Sequence, residues 1–316
     1  MSSEPGLLST ARYGKDRIRV FRVVRGDGGV HNIVEYNVTA LLEGAIDVSY
    51  TQADNRVVVA TDSIKNITYY LAKTSPHILS PSRFALHLGT HLVSKYSHIS
   101  KAVVTVEVLR WARIEPGGKP HPHGFWRDGD EKRIVKVEVD QTKEGVLAKA
   151  EGGIRDLLVL KSTGSAFENF VRDEYTTLVE VNDRIFSTAV DLVYTYSPVS
   201  ITGHGDGSTL EEANVGKKDG GVWDDDAVAT SVRNITLEVF ATDESASVQA
   251  TLYKMGQTIL ANNPGVGSVR IALPNKHYIP VDMKYIGVDN TTPANAEVFV
   301  PVDAPSGLIT ATVTRQ

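Results

Sequence analysis

The chain predicts an α+β fold built from two tandem domains, each an antiparallel sheet with a pair of helices on one face. Three observations carry this expectation. Several segments alternate apolar and polar residues with period two, the mark of a sheet with one buried face. Each half also holds two segments with apolar residues at helical spacing. The order strands, helices, strands occurs twice along 316 residues, a length suited to two domains. We place the first domain at residues 11–145 and the second at 150–316. The repetition is one of element order, without a residue-level repeat.

Taken in order, the first ten or so residues read as a polar tail. Arg17–Arg25 and Ile33–Leu42 read as strands joined by the turn signal Asp27-Gly28-Gly29. The second strand puts Val34, Tyr36, Val38, Ala40 and Leu42 on one face. A further strand pair is expected, broken at Ala53-Asp54-Asn55 and ending at Val57–Ala60. Thr61-Asp62-Ser63 then offers the side chains that satisfy free N–H groups at a helix start. That helix ends before Pro76, and another from about Ser82 buries Phe84, Leu88 and Leu92. Val103–Leu109 and Arg133–Val139 return to strand, with a turn at Asp128-Gly129-Asp130.

In the second half, strands are expected at Leu157–Leu160, Ala189–Tyr196, Ser268–Leu273 and Tyr278–Ile286. Helices are expected around Val228–Phe240, with Val228, Val232, Ile235 and Val239 inward, and around Ser247–Leu260, with Val248, Leu252, Met255 and Ile259 inward. The Gly- and Asp-rich stretch from Gly203 to Asp226 reads as a surface insertion.

Composition narrows the functional classes. The 33 Lys and Arg against 38 Asp and Glu give a formal charge of −5. With no large basic block, binding of nucleic acid through phosphate neutralisation is not expected. The absence of cysteine excludes disulfides, thiolate catalysis and cysteine-ligated metals. No apolar run reaches the ~18 residues that span a bilayer, and no signal-peptide core is visible, so a soluble, cytoplasmic protein without a membrane partner is expected. The terminal Thr-Arg-Gln is not a Ser-Lys-Leu peroxisomal address.

Several places carry chemistry. Between the strands at Leu157–Leu160 and Ala189–Tyr196 lies an irregular segment containing Phe167, Phe170, Arg172, Asp173 and Arg184. An aromatic face and a planar guanidinium suit a flat, carbonyl-bearing ligand; the bland account is a core Phe167 and an Arg184 paired with a local carboxylate. Lys15 precedes the first strand, Thr61 stands at a strand-to-helix junction, and Asn275 and His277 interrupt two strands. Singly, these are a surface lysine, a helix cap and strand-end polar residues. His121-Pro122-His123 has no third ligand nearby, so no metal site is expected. Gly265-Val266-Gly267 lacks a phosphate-loop lysine, and Ser162 and Ser165 lack a nucleophile elbow.

Taken together, the blocks YGKDRIRV, VATDSIKN, VLKSTGSAF with RDEYTTL and DRI, SVQATLYKM, LPNKHY and the C-terminal GLITATV resemble the cofactor-independent urate oxidases, in order along nearly the whole chain. The stretch from about Ile201 to Asp226 is longer than the family pattern, and the missing Ser-Lys-Leu points to a bacterial-type, cytoplasmic member. The resemblance implies tandem tunnelling-fold (T-fold) domains whose sheets close with a second subunit into a barrel, two such dimers forming a homotetramer. It implies oxidation of urate by dioxygen and water to 5-hydroxyisourate and hydrogen peroxide, without metal or organic cofactor. By the same resemblance, Phe167 stacks on the purine, Arg184 grips one edge, and Gln249 with the Val248 N–H reads the other. Lys15 and Thr61 abstract a proton, His277 relays it, and Thr61 and Asn275 hold dioxygen and then water. Lys15, Thr61 and Asp62 come from one subunit and the remaining site residues from its neighbour, so active sites lie at subunit interfaces. Other T-fold enzymes of pterins or GTP, and a non-catalytic purine-binding oligomer, are the competing expectations.

Overall fold

A computed structural model describes residues 5–202 and 223–316. Along the chain run β1 (Tyr13–Arg25), β2 (His31–Gly44), α1 (Asp47–Thr51), α2 (Thr61–Thr74), α3 (Pro81–Lys95) and β3 (Ile99–Val108). Next come β4 (Trp111–Arg113), β5 (Phe125–Arg127), β6 (Lys132–Gln141), β7 (Gly145–Lys161), β8 (Phe186–Tyr196) and β9 (Val199–Thr202). The last elements are α4 (Asp225–Thr242), α5 (Val248–Asn262), β10 (Val266–Pro280), β11 (Phe299–Val302) and β12 (Leu308–Thr314). The chain forms two compact units, one of Met1–Gly153, Tyr194–Ala229 and Gly265–Gly267, the other of Ile154–Val193, Thr230–Pro264 and Ser268–Gln316. Residues 145–150, where a domain boundary is expected, are the N-terminal end of β7.

In the first unit, β2 pairs antiparallel with β1 and β3, and β3 with β6. The alternation read in β2 is realised: Tyr36, Val38, Ala40 and Leu42 are fully buried. α3 covers β3 and β6, and α2 covers β1. Phe84, Leu88 and Leu92 of α3 form the stripe their spacing predicts, each at 0% exposure. In the second unit, β12 and β11 pair antiparallel with β10, β8 lies between β7 and β10, and α5 packs on β12. Val248, Leu252, Met255 and Ile259 are its buried face. The architecture is α+β with antiparallel sheets.

Four expectations need correction. Residues 45–60 are not a strand pair: they form α1 and a 3-10 turn at Asn55–Val57. The β-branched run Val57–Val59 pairs with no strand among the described residues; the Val58 N–H closes the 3-10 turn on the Asn55 carbonyl (3.0 Å), and side chains meet the groups on either side. The Tyr13 hydroxyl accepts the Val59 N–H (2.7 Å) and the His98 ring Nε2 meets the Val57 carbonyl (2.9 Å). Pro274–His277 does not interrupt two strands either. β10 is continuous and changes partner there, pairing with β12 up to Pro274 opposite Leu308 and with β11 from His277 opposite Val302. It stops at Pro280, so Lys284–Ile286 is a 3-10 turn rather than strand. The β4–β5 hairpin, too short to show periodicity, encloses the two histidines of His121-Pro122-His123. Finally, the end of the supposed insertion is structured: Trp223 is 1% exposed and α4 begins at Asp225, itself buried. The remainder of that stretch, 203–222, lies outside the described residues.

Candidate active site

Each unit carries its own set of the residues singled out above. In the first, Lys15 lies on β1 opposite Ala40, half-buried. The preceding Gly14 has a geometric reason: a Cβ there would lie 1.9 Å from the Ala40 carbonyl oxygen, so only glycine lets the two backbones approach this closely. Directly after Lys15 the register slips at a β-bulge, with Arg17 at φ 54°. Asp16 stabilises the irregularity by accepting the Arg17 N–H and the Thr39 hydroxyl. Bulges of this kind re-aim side chains beside functional sites.

The α2 start differs from the sequence expectation. Ala60 is the N-cap, Thr61 and Asp62 are the first two helical residues, and no side chain caps the helix. The first N–H groups of the helix, which have no intrahelical acceptors, are therefore left beside the Thr61 side chain. Asp62 is exposed and bonds Lys65 (2.5 Å) and Asn66 (2.9 Å). The Lys65 ammonium holds the Asp62 carboxyl below the usual carboxylate range, and Lys15 adds a smaller attraction.

In the second unit, Phe167 is half-buried rather than core. Its backbone exchanges two hydrogen bonds with Val181 (2.8 and 3.1 Å), and its ring stacks on Phe170 with centroids 4.9 Å apart. The Arg184 guanidinium lies over the Phe167 ring at 5.3 Å. The local-carboxylate account of Arg184 fails: among the described residues no acid pairs with its side chain, and burial alone lowers its pKa. A half-buried cation without a partner is costly, and such groups concentrate where a ligand supplies the missing charge or carbonyl.

A residue not singled out by the sequence, Asp183, organises this loop. Its carboxylate accepts the Thr163 hydroxyl (2.6 Å) and the Gly164 N–H (2.8 Å), and the Thr163 bond in particular holds its pKa down. The Arg184 N–H then bonds the Ser165 carbonyl (2.8 Å). Ser165 in turn bridges Ser245: the Ala166 N–H meets the Ser245 carbonyl (2.8 Å), and the Ser245 N–H meets the Gly164 carbonyl (3.0 Å). This ties the Phe167–Arg184 loop to the start of α5. There Ser247 is the N-cap, its hydroxyl accepting the Ala250 N–H (3.1 Å). Val248 and Gln249 are the first two residues of α5, with N–H groups that have no acceptor in the helix and an exposed Gln249 side chain.

Asn275 and His277 sit on β10 at the partner change. The Asn275 N–H bonds the Gly307 carbonyl (2.8 Å), while its side-chain Oδ1 is buried without a partner. The Thr188 hydroxyl of β8, four residues after Arg184, donates to the Pro274 carbonyl (2.9 Å), which sets Asn275 beside the strand that Arg184 leads into. His277 is exposed. The His121 and His123 rings lie 4.5 Å apart, with His31 at 5.9 Å from His123. Among the described residues, no set of three His, Asp or Glu side chains is placed to hold one ion.

The second unit thus presents an aromatic face, a guanidinium with no acid partner among the described residues and an unsatisfied carboxamide on an antiparallel α+β scaffold, a set of groups chemically suited to a flat, carbonyl-bearing molecule. The comparisons with known proteins narrow this class. The family model described as Uricase matches residues 11–138 and 150–310. The chain is 47% identical to the uricase of Emericella nidulans over 310 residues, covering 98% of this chain and 97% of that one. It is 34% identical to the uricase of Arthrobacter globiformis, covering 98% and 90%. The crystal structure of the Arthrobacter globiformis uricase superimposes with a TM-score of 0.83, at 33% identity over 99% of this chain and 96% of that one. This chain belongs to the uricase family. Its higher identity to the fungal protein than to this bacterial one runs against the bacterial-type expectation.

Proposed function

We propose that the chain oxidises urate with dioxygen and water to 5-hydroxyisourate and hydrogen peroxide, without a cofactor. The observation that carries this reading is the half-buried Arg184 guanidinium, set over the Phe167 ring with no carboxylate partner among the described residues. Urate is flat, anionic at neutral pH and edged with carbonyls. Phe167 stacks on its plane, and the Arg184 fork donates two parallel N–H bonds to one edge, a geometry that lysine cannot supply. Gln249 reads the opposite edge as donor and acceptor, with the Val248 N–H donating beside it.

Lys15 and Thr61 remove the second proton, giving a dianion electron-rich enough to reduce dioxygen directly. Asp62, adjacent to Thr61, is a substrate-binding residue contributed from the same side. His277 relays the proton through water, and Thr61 with Asn275 holds dioxygen and then the attacking water above the ring; the unpartnered Asn275 Oδ1 is available for that water. The products balance: dioxygen takes two electrons and two protons to become hydrogen peroxide, and the oxidised purine gains the hydroxyl of water at one carbon.

The reading includes tandem T-fold domains at 11–145 and 150–316, closing with a second subunit into a barrel and assembling as a homotetramer. The two separate family-model matches support the tandem division. In this reading Lys15, Thr61 and Asp62 of one subunit meet Phe167, Arg184, Val248, Gln249, Asn275 and His277 of its neighbour across an interface of the tetramer. We assign the protein to the cytoplasm; among the described residues no helix is long and apolar enough to cross a membrane.

The test is loss of urate's ultraviolet absorbance with stoichiometric oxygen uptake and peroxide release, before and after exhaustive chelation. Turnover that survives chelation, from protein without a bound chromophore, supports the whole reading. No turnover of urate would sink the activity, and activity that returns only on adding a metal would sink the cofactor-free mechanism.

A further inference from the structure

The start of α2 presents Thr61, yet nothing in its own sequence fixes how the chain enters it. Ala60 occupies the N-cap and has no side chain to hydrogen-bond the first turn, whereas a capping side chain would both fix the entry and consume a free N–H. The entry is held from β1 instead. Tyr13 and Lys15 are two apart on that strand and share one face. The Tyr13 hydroxyl oxygen accepts the N–H of Val59 at 2.7 Å, two residues before Thr61. Val59 is itself buried, at 7% exposure, where an unpaired backbone N–H is costly. The His98 ring contacts the carbonyl of Val57 on the same segment. The Tyr13 phenol is pushed up from its ordinary pKa by burial, with Tyr50 and Tyr96 close by, so it remains a neutral hydroxyl.

We propose that Tyr13 is a positioning residue for the proton-abstracting pair: its hydroxyl holds the Val59–Thr61 entry of α2 in register with the strand that carries Lys15. The device leaves the first N–H groups of α2 open while still fixing Thr61, which a conventional cap does not do. It rests on the assignment of Lys15 and Thr61 to proton abstraction. Tyr13 touches no substrate in this scheme; it acts through the spacing of two groups that do, and misplacement on the ångström scale is costly in rate.

The experiment compares Tyr13→Phe with Tyr50→Phe. Tyr50 donates a comparable hydroxyl bond (3.2 Å) to the Arg12 carbonyl at the same strand end but does not touch the α2 entry. The Tyr13→Phe enzyme should lose kcat on the order of tenfold or more with KM for urate little changed, because the substrate-gripping groups are untouched. Tyr50→Phe should keep both constants within about twofold, as expected for an exposed bond that does not hold the Val59 N–H. A second route removes the donor: Val59→Pro has no N–H, and adding Tyr13→Phe to it should cost no further kcat. Wild-type kcat in Tyr13→Phe, a loss equal to that of Tyr50→Phe, or fully additive losses in the double variant would each overturn the proposal. Lys15→Met, measured alongside, tests the underlying assignment: if it retains turnover, the base pair is wrong whatever Tyr13 does.

Discussion

Replacing Arg184 with lysine separates charge from shape at the candidate site. The guanidinium lies 5.3 Å from the Phe167 ring and has no acid partner among the described residues. Lysine keeps the positive charge but loses the second parallel N–H and the planar stack. One charged hydrogen bond to a desolvated carbonyl contributes about 1–3 kcal/mol. Urate binding should therefore weaken by about 5- to 140-fold, since 1.4 kcal/mol is tenfold. The stability consequence has the opposite sign from an ordinary core arginine. Burial disfavours this charge in the free protein, so Arg184→Met should leave the melting temperature unchanged or raised while removing activity. Steady-state kinetics with urate, together with thermal unfolding of the same preparations, check both halves. An unchanged KM and kcat in Arg184→Lys would remove Arg184 from the site; a sharp fall in stability in Arg184→Met would show that the guanidinium had an internal partner after all.

Other outcomes follow from the same geometry. In mixed oligomers of Lys15→Met and Arg184→Ala, each inactive alone, activity should return in proportion to the statistical frequency of interfaces pairing two intact residues; verified hybrids that stay inactive would rule out a site shared between subunits. Gly14→Ala should destabilise the fold by about 1–3 kcal/mol, the usual cost of overpacking, because the new Cβ meets the Ala40 carbonyl; a melting temperature equal to wild type would contradict that close approach. Asp183 has a folded-state pKa held below its ordinary value, chiefly by the Thr163 hydroxyl. Its contribution is complete above the unfolded carboxylate pKa of about 4 and is lost as pH falls through the lower folded value. Melting temperature should thus drop less steeply below about pH 4 in Asp183→Asn than in wild type, and parallel acid profiles would count against the carboxylate's role in the loop.

Much of the secondary structure was legible locally because it is set locally. The period-two alternation along β2 and the helical spacing of Phe84, Leu88 and Leu92 each bury one face: Tyr36, Val38, Ala40 and Leu42 are fully buried, as is the helical stripe, while Val34 at the head of the alternation stays half-buried. The candidate residues were recognisable as ordered blocks, since side-chain types such as Lys15, Phe167, Arg184 and Gln249 are visible in any linear reading. Misreadings fell where a partner distant in sequence decides. Val57–Val59 has strand-like residues, yet its backbone groups are claimed by Tyr13 and His98, which lie 46 and 41 positions away. Pro274 looked like an interruption because the change of pairing from β12 to β11 leaves no local trace.

The α+β class, the buried faces of the main elements and the inventory of chemical groups thus follow from local pattern. That Phe167 is half-exposed, that Arg184 has no acid beside it among the described residues, and that α2 starts uncapped with its entry fastened to Tyr13 emerge only once the chain is folded. One cause underlies all three. Burial periodicity is a property of one segment, whereas a satisfied or unsatisfied polar group depends on which distant atoms the fold brings within hydrogen-bond reach.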